Sequence, residues 1–83
     1  MTITINVKLF AAYQEAYGKP ELQLKLEQPI TVSEVLEKIL TEKPELRQWQ
    51  EVTRFGVNLQ FVEGNTLIDD SDEVVFIPPV SGG

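Results

Sequence analysis

Only one stretch of this chain keeps the period of a helix over several turns; most of its other apolar pattern has the period of a strand. Val32, Val35, Leu36, Ile39 and Leu40 fall at i, i+3, i+4, i+7 and i+8, a single apolar stripe. Thr31-Val-Ser-Glu34 stands before it as a capping box, in which hydroxyl and carboxylate each reach back for an orphan backbone N–H. Glu34 and Lys38 add an i,i+4 pair on the far side. The helix should stop before Pro44, because the residue preceding a proline disfavours the α region. Pro44 to Trp49 can begin another helical turn.

Around this helix the period is two. Ile3, Ile5, Val7 and Leu9 face one way and Thr4, Asn6 and Lys8 the other, a half-buried first strand. Phe10 to Tyr17 is richer in helix formers and reads as a short helix, with Gly18 placed to cap its last carbonyls. Leu22, Leu24 and Leu26 mark a second strand. Phe55, Val57 and Leu59 mark a third, and Phe61 and Val62 extend its apolar run to a turn at Glu63-Gly-Asn65, making one strand or two. The last strand is Glu73-Val-Val-Phe-Ile77, whose four consecutive apolar residues imply a central strand covered on both faces. Pro78-Pro79 then removes two N–H donors and ends the ladder. The expected fold is α+β: a mixed sheet with the first and last strands central and one long helix across one face. Residues 1–77 form the domain, and 78–83 a flexible C-terminal tail.

Composition narrows the chemistry. A chain of 83 residues folds as one unit with a modest core. It has no cysteine, hence no disulfide, thiolate nucleophile or Cys-ligated metal, and no histidine, hence no imidazole base. Its formal charge of −6 argues against nucleic acid and anionic membranes as partners. The alternating N-terminus does not read as a signal peptide, and no apolar run is long enough to span a bilayer, so a cytoplasmic protein is expected.

Few side chains then remain as reactive candidates. Asp69, Asp70, Asp72 and Glu73 lack the ligand spacing of a calcium loop and read as a solvated turn. No metal site is expected. Ser33, Ser71 and Ser81 have no base in sequence to activate them. Tyr13 and Tyr17, four apart, are expected to pack, and Trp49 is either core, rim or a binding anchor. The C-terminus is different. Pro78 to Gly83 would reach roughly 20 Å if extended at ~3.3–3.6 Å per residue. Gly82-Gly83 has no side chains to obstruct entry into a narrow tunnel. The reactive group at its tip would be the α-carboxylate, which needs activation, for example as an acyl-adenylate.

Asp69-Asp-Ser-Asp-Glu-Val-Val-Phe-Ile-Pro-Pro-Val-Ser-Gly-Gly83 resembles the ending of the small, sulfur-carrying subunit of molybdopterin synthase. Val7-Lys-Leu-Phe-Ala11 and Gly56-Val-Asn58 resemble that family's opening strand and third-strand motif, so the likeness spans essentially the whole chain. Ser71 departs from it, standing where the family often has glycine, so the turn there is expected to differ slightly.

The resemblance implies a ubiquitin-like β-grasp fold and a sulfur carrier with no catalytic side chains and no stably bound cofactor. Gly83 would be adenylated by an ATP-dependent, E1-like activating enzyme and converted to a thiocarboxylate by a sulfur-donating sulfurtransferase. Val80, Ser81 and Gly82, after Pro78 and Pro79, would thread the tail into the large catalytic subunit, in a heterotetramer. There the sulfur would pass to a pterin precursor to form the dithiolene. Alternatives are a carrier for thiazole, tRNA-thiolation or tungsten-cofactor synthesis, or a protein modifier conjugated through Gly83.

One helix covers one face of a sheet, so a second apolar face needs another cover, and a partner protein is the natural one. The family uses an apolar sheet face for its partners, which points to Phe10, Phe61 and Ile77. The competing reading makes Phe61 and Ile77 ordinary core residues and Phe10 a helix staple.

Overall fold

A computed structural model of the chain describes residues 1–79. The elements in chain order are β1 (Thr2–Leu9), α1 (Ala12–Tyr17), β2 (Glu21–Glu27), α2 (Val32–Glu42), a 3-10 segment (Pro44–Val52), β3 (Arg54–Val57), β4 (Gln60–Val62) and β5 (Glu73–Ile77). One five-stranded sheet has the order β2-β1-β5-β3-β4. β1 and β5 are parallel and central, and every other pairing is antiparallel.

The core lies on one face of this sheet. Ile3, Ile5, Val7 and Leu9 of β1 and Val74 and Phe76 of β5 pack with Val32, Val35, Leu36, Ile39 and Leu40 of α2, the five stripe residues. Helix α2 starts where its sequence requires. The Thr31 Oγ1 accepts the Glu34 N–H at 3.2 Å, and the Glu34 carboxylate accepts the Thr31 N–H at 2.9 Å. The Thr31 N–H, and the Thr31 hydroxyl donating to the same carboxylate at 3.1 Å, hold the Glu34 carboxyl below its usual pKa, with Lys38 a lesser influence. Gly18 caps α1 at φ 70°, a conformation that costs little without a Cβ, and its N–H donates to the Gln14 carbonyl at 2.8 Å. The expected turn after Pro44 forms and runs on to Val52 as 3-10 helix.

Two expectations need correction. Of one strand or two after the 3-10 segment, the chain forms two, and Leu59 belongs to neither: it lies with Asn58, at φ 71° and 49°, in the hairpin turn between β3 and β4. Two successive residues in the left-handed region make the tight turn that suits the twist of paired strands. Leu59 consequently leaves the alternation and is 90% exposed. The second correction concerns β5. It is central, but only Val74 and Phe76 are fully buried, while Val75 and Ile77 on the opposite face stay half-buried. A run of apolar residues records hydrogen-bonding partners on both edges here, not cover on both faces.

Candidate functional site

The site is built where β5 leaves the sheet. Residues paired across neighbouring strands project to the same face. Val75 pairs with Lys8 on one side and Gly56 on the other, and Gly56 pairs with Phe61. This gives one row, Lys8, Val75, Gly56 and Phe61, on the face away from α2. Ile77 pairs with Arg54 on the same face. Phe61 is 74% exposed and is therefore not a core residue, while Ile77 is half-buried. A Cβ added at Gly56 would meet Val75 Cβ and the Gln60 carbonyl at an ordinary 3.6 Å, so packing within the chain does not demand glycine there. Its effect is to keep the middle of the open face low.

Phe10 lies just beyond β1, which ends at Leu9. Ala11 takes φ 49°, ψ −121°, and the Tyr13 N–H donates to the Phe10 carbonyl at 3.0 Å, so the chain turns sharply and leaves Phe10 nearly half exposed. A cleft of about 560 Å³ opens there, walled by Phe10, Trp49, Ile77, Pro78 and Pro79, with Glu15 on its lining. Thus Phe10 and Ile77 share a cleft with the root of the tail, and Phe61 lies farther along the open face, lining a separate recess with Phe55 and Arg54.

The backbone at Trp49 is anchored from beneath. The Thr53 hydroxyl donates to the Trp49 carbonyl at 2.7 Å, leaving the Tyr13 hydroxyl to donate to Thr53 Oγ1 at 2.6 Å. Tyr13 is fully buried against Phe76, and that burial pushes its phenol pKa up. Tyr17 does not share this place. It is half-buried beside Lys43, whose Nζ sits 5.3 Å from the ring centroid.

The other end of β5 is tied down by the acidic loop. Asp70 accepts the Thr4 N–H at 2.8 Å, and Asp72 accepts the Asp69 N–H and the Asn58 amide, both at 2.8 Å. The Asn58 Oδ1 in turn accepts the Glu73 N–H at 2.9 Å. The carboxylates thus fix a turn, and no cluster able to hold a metal ion occurs among the described residues. Ser71 adopts φ 70°, the conformation expected of the glycine it replaces, and its N–H donates to the Thr4 carbonyl at 2.8 Å. The serine bears the strain of that left-handed turn.

Val80, Ser81, Gly82 and Gly83 lie outside the described residues. Pro78 and Pro79 stand at the cleft, with no strand assigned beyond Ile77. The residues missed by sequence reasoning are Glu15 and Trp49 as joint lining of that cleft. Helical spacing places Glu15 on the face of Ala11 and Ala12, but only the fold brings Trp49 and the tail root to it. No helix among the described residues is long and apolar enough to cross a membrane.

Comparison with known proteins agrees with this geometry. The ThiS family model matches residues 7–83. The chain is 30% identical over 82 residues to the molybdopterin synthase sulfur carrier subunit of Mycobacterium tuberculosis, covering 98% of this chain and 99% of that protein. It is 29% identical to the protein of the same name from Arabidopsis thaliana, covering 99% and 85%. Among solved structures, it is similar to a complex of subunits 1 and 2 of molybdopterin-converting factor from Helicobacter pylori (TM-score 0.67, 27% identity, 98% of this chain and 100% of that chain). It is also similar to small archaeal modifier protein 1 from Methanosarcina acetivorans (TM-score 0.75, 32% identity, 100% and 99%). A ubiquitin from Caldiarchaeum subterraneum shares the fold at 20% identity (TM-score 0.70, 100% of both chains). With a ubiquitin-like β-grasp sheet, β1 and β5 at its centre, and a family match over nearly its whole length, the chain belongs to the ThiS family.

Proposed function

We propose that this protein is a sulfur carrier, the small subunit of a molybdopterin synthase, and that Gly83 is its working residue. The observation that carries the reading is the exit of β5: a strand held at the sheet centre runs straight into Pro78-Pro79 and then Val80-Ser-Gly-Gly83. Relatives with that function, similar along the full chain, support it.

The chemistry needs no side chain from this protein. The Gly83 carboxylate attacks the α-phosphorus of ATP in an E1-like activating enzyme and pyrophosphate leaves. A sulfurtransferase supplies sulfur at the sulfide level, which displaces AMP and leaves a thiocarboxylate. Pro78 and Pro79 restrict the tail before binding, so less entropy is lost when it enters the large catalytic subunit. There the thiocarboxylate sulfur displaces an oxygen substituent of the pterin precursor, which leaves with the bonding pair, and water hydrolyses the resulting thioester, leaving the sulfur on the product and returning the Gly83 carboxylate. The open face with Phe10, Phe61 and Ile77 docks that subunit, in a heterotetramer in the cytoplasm.

The test is intact mass spectrometry of the chain expressed with its activating enzyme and a sulfur source. Exchange of one oxygen for one sulfur at Gly83 is expected. No modification beside an active activating enzyme, with undiminished function after deletion of Gly82-Gly83, would overturn the reading. The names of the archaeal modifier proteins among its relatives favour a second reading, conjugation through Gly83. That reading expects higher-mass lysine conjugates in cells, which a pure carrier does not form.

A further inference from the structure

We infer that the cleft at the root of the tail receives an arginine side chain from the protein that takes the tail, with Glu15 as its anion and Phe10 and Trp49 as its aromatic walls. The inference rests on the sulfur-carrier reading and adds to it the chemistry of recognition beside the reacting end.

Distance is the first argument. Four residues separate Pro79 from Gly83, and even fully extended they reach only about 14 Å at ~3.3–3.6 Å per residue. A small domain is about 30 Å across. A protein that encloses Gly83 in an active site must therefore lay its own surface over the cleft where the tail begins.

Charge is the second. Among the described residues Glu15 is the only charged one lining this cleft, and the rest of that lining is aromatic, aliphatic and proline. It is exposed, and it makes no ion pair among the described residues. Covering it without a counter-charge would bury an uncompensated carboxylate, a costly outcome. The groove on the other side of Ile77-Pro78-Pro79 differs, since Glu51 and Arg54 both line it and supply both signs. The demand for a cation falls on the Glu15 side.

The walls select the kind of cation. A guanidinium can pair with a carboxylate through two parallel N–H donors while its planar face lies on an aromatic ring, whereas an ammonium is compact and strongly hydrated. Phe10 and Trp49 offer such faces, and Trp gives the strongest cation–π attraction. The Thr53 hydroxyl anchors the Trp49 backbone carbonyl, and the Trp49 side chain packs partly buried against the core, so the wall stands before a partner arrives.

The experiment is calorimetric titration of the full chain with the purified large synthase subunit of the same organism, at low and at high salt. Glu15→Gln is expected to weaken binding about tenfold and flatten its salt dependence, and Glu15→Arg to weaken it further. Glu15→Asp, which keeps the charge, should stay within about threefold of the parent. The Trp49 indole N–H resonance is expected to shift on adding the subunit and to shift less in Glu15→Gln. Thermal melts should match the parent, because Glu15 is exposed. If Glu15→Gln and Glu15→Arg both bind as the parent does, with the same salt dependence, this inference falls and the sulfur-carrier reading stands. If the parent itself neither binds the subunit nor acquires sulfur at Gly83, both fall.

Discussion

Along β5, Val74 and Phe76 are wholly enclosed among Tyr13, Phe55 and the residues of α2, while Val75 and Ile77, alternating with them in sequence, are half-buried on the opposite face. The residue types are the same; the covers differ. One face is closed by this chain's own helix and so contributes to folding. The other carries Lys8, Gly56, Phe61 and Arg54 from the neighbouring strands and no helix of its own, so its apolar area stays available for association. The comparison separates two demands that a short strand usually meets together. Substitution on one face should be read in stability, and on the other in binding.

The largest expected effect breaks the closed face. Phe76→Ala removes a fully buried ring between Tyr13 and Phe55 and should cost about 3–5 kcal/mol, a large part of a small domain's stability. Urea unfolding reads it, and a loss below about 1 kcal/mol would contradict the packing. Next comes the open face. Phe61→Ala and Ile77→Asp should each weaken large-subunit binding by more than ~1 kcal/mol while the chain remains folded. Unchanged affinity would remove that face from the docking surface. Helix entry comes third. Thr31→Ala should cost about 1 kcal/mol through loss of the cap, seen as a lower urea midpoint at an unchanged slope.

Smaller effects sharpen the contrast. Ser71→Gly relieves a left-handed serine, and after the added freedom of the unfolded chain it should gain about 0.5 kcal/mol in the same assay. The pH profile should be the gentlest signal. Glu27, Glu34 and Glu37 are held below their usual pKa by Thr2, Thr31 and Arg47 respectively. Their contribution is complete above the ordinary glutamate pKa, about 4.3, and is lost as pH falls through the lowered values. Tyr13 and Tyr17 are raised, chiefly by burial. Theirs is complete below about pH 10 and is lost as pH rises through the raised values. Melting temperature against pH should fall at both ends, and Tyr13→Phe should reduce the alkaline fall.

Much of this was legible in the sequence because local rules and tertiary demands agree. The Thr31–Glu34 box, the α2 stripe, the alternation of β1 and the glycine after Tyr17 each specify their element with residues that lie within it. The hairpin was not legible for the opposite reason. Asn58-Leu59 turns the chain without the glycine that usually marks such a turn, and Leu59 happens to continue the alternation of Phe55 and Val57. Which pair of β5 residues lies on the open face was not legible, since sequence cannot say which side one helix will cover. The Glu15–Trp49 cleft joins residues 34 positions apart whose types are unremarkable separately, so no local pattern announces it.

The parallel pairing of β1 with β5 has a consequence for the order in which the molecule is made. A ribosome delivers β1 first, but the strand that completes the centre of the sheet, Glu73–Ile77, follows every other element of the described fold. Until then the growing chain lacks Val74 and Phe76 and cannot close its core. Folding therefore waits on the synthesis of β5, and a product cut short before that strand is left open to proteolysis. The same event that finishes the fold also delivers the two glycines behind it.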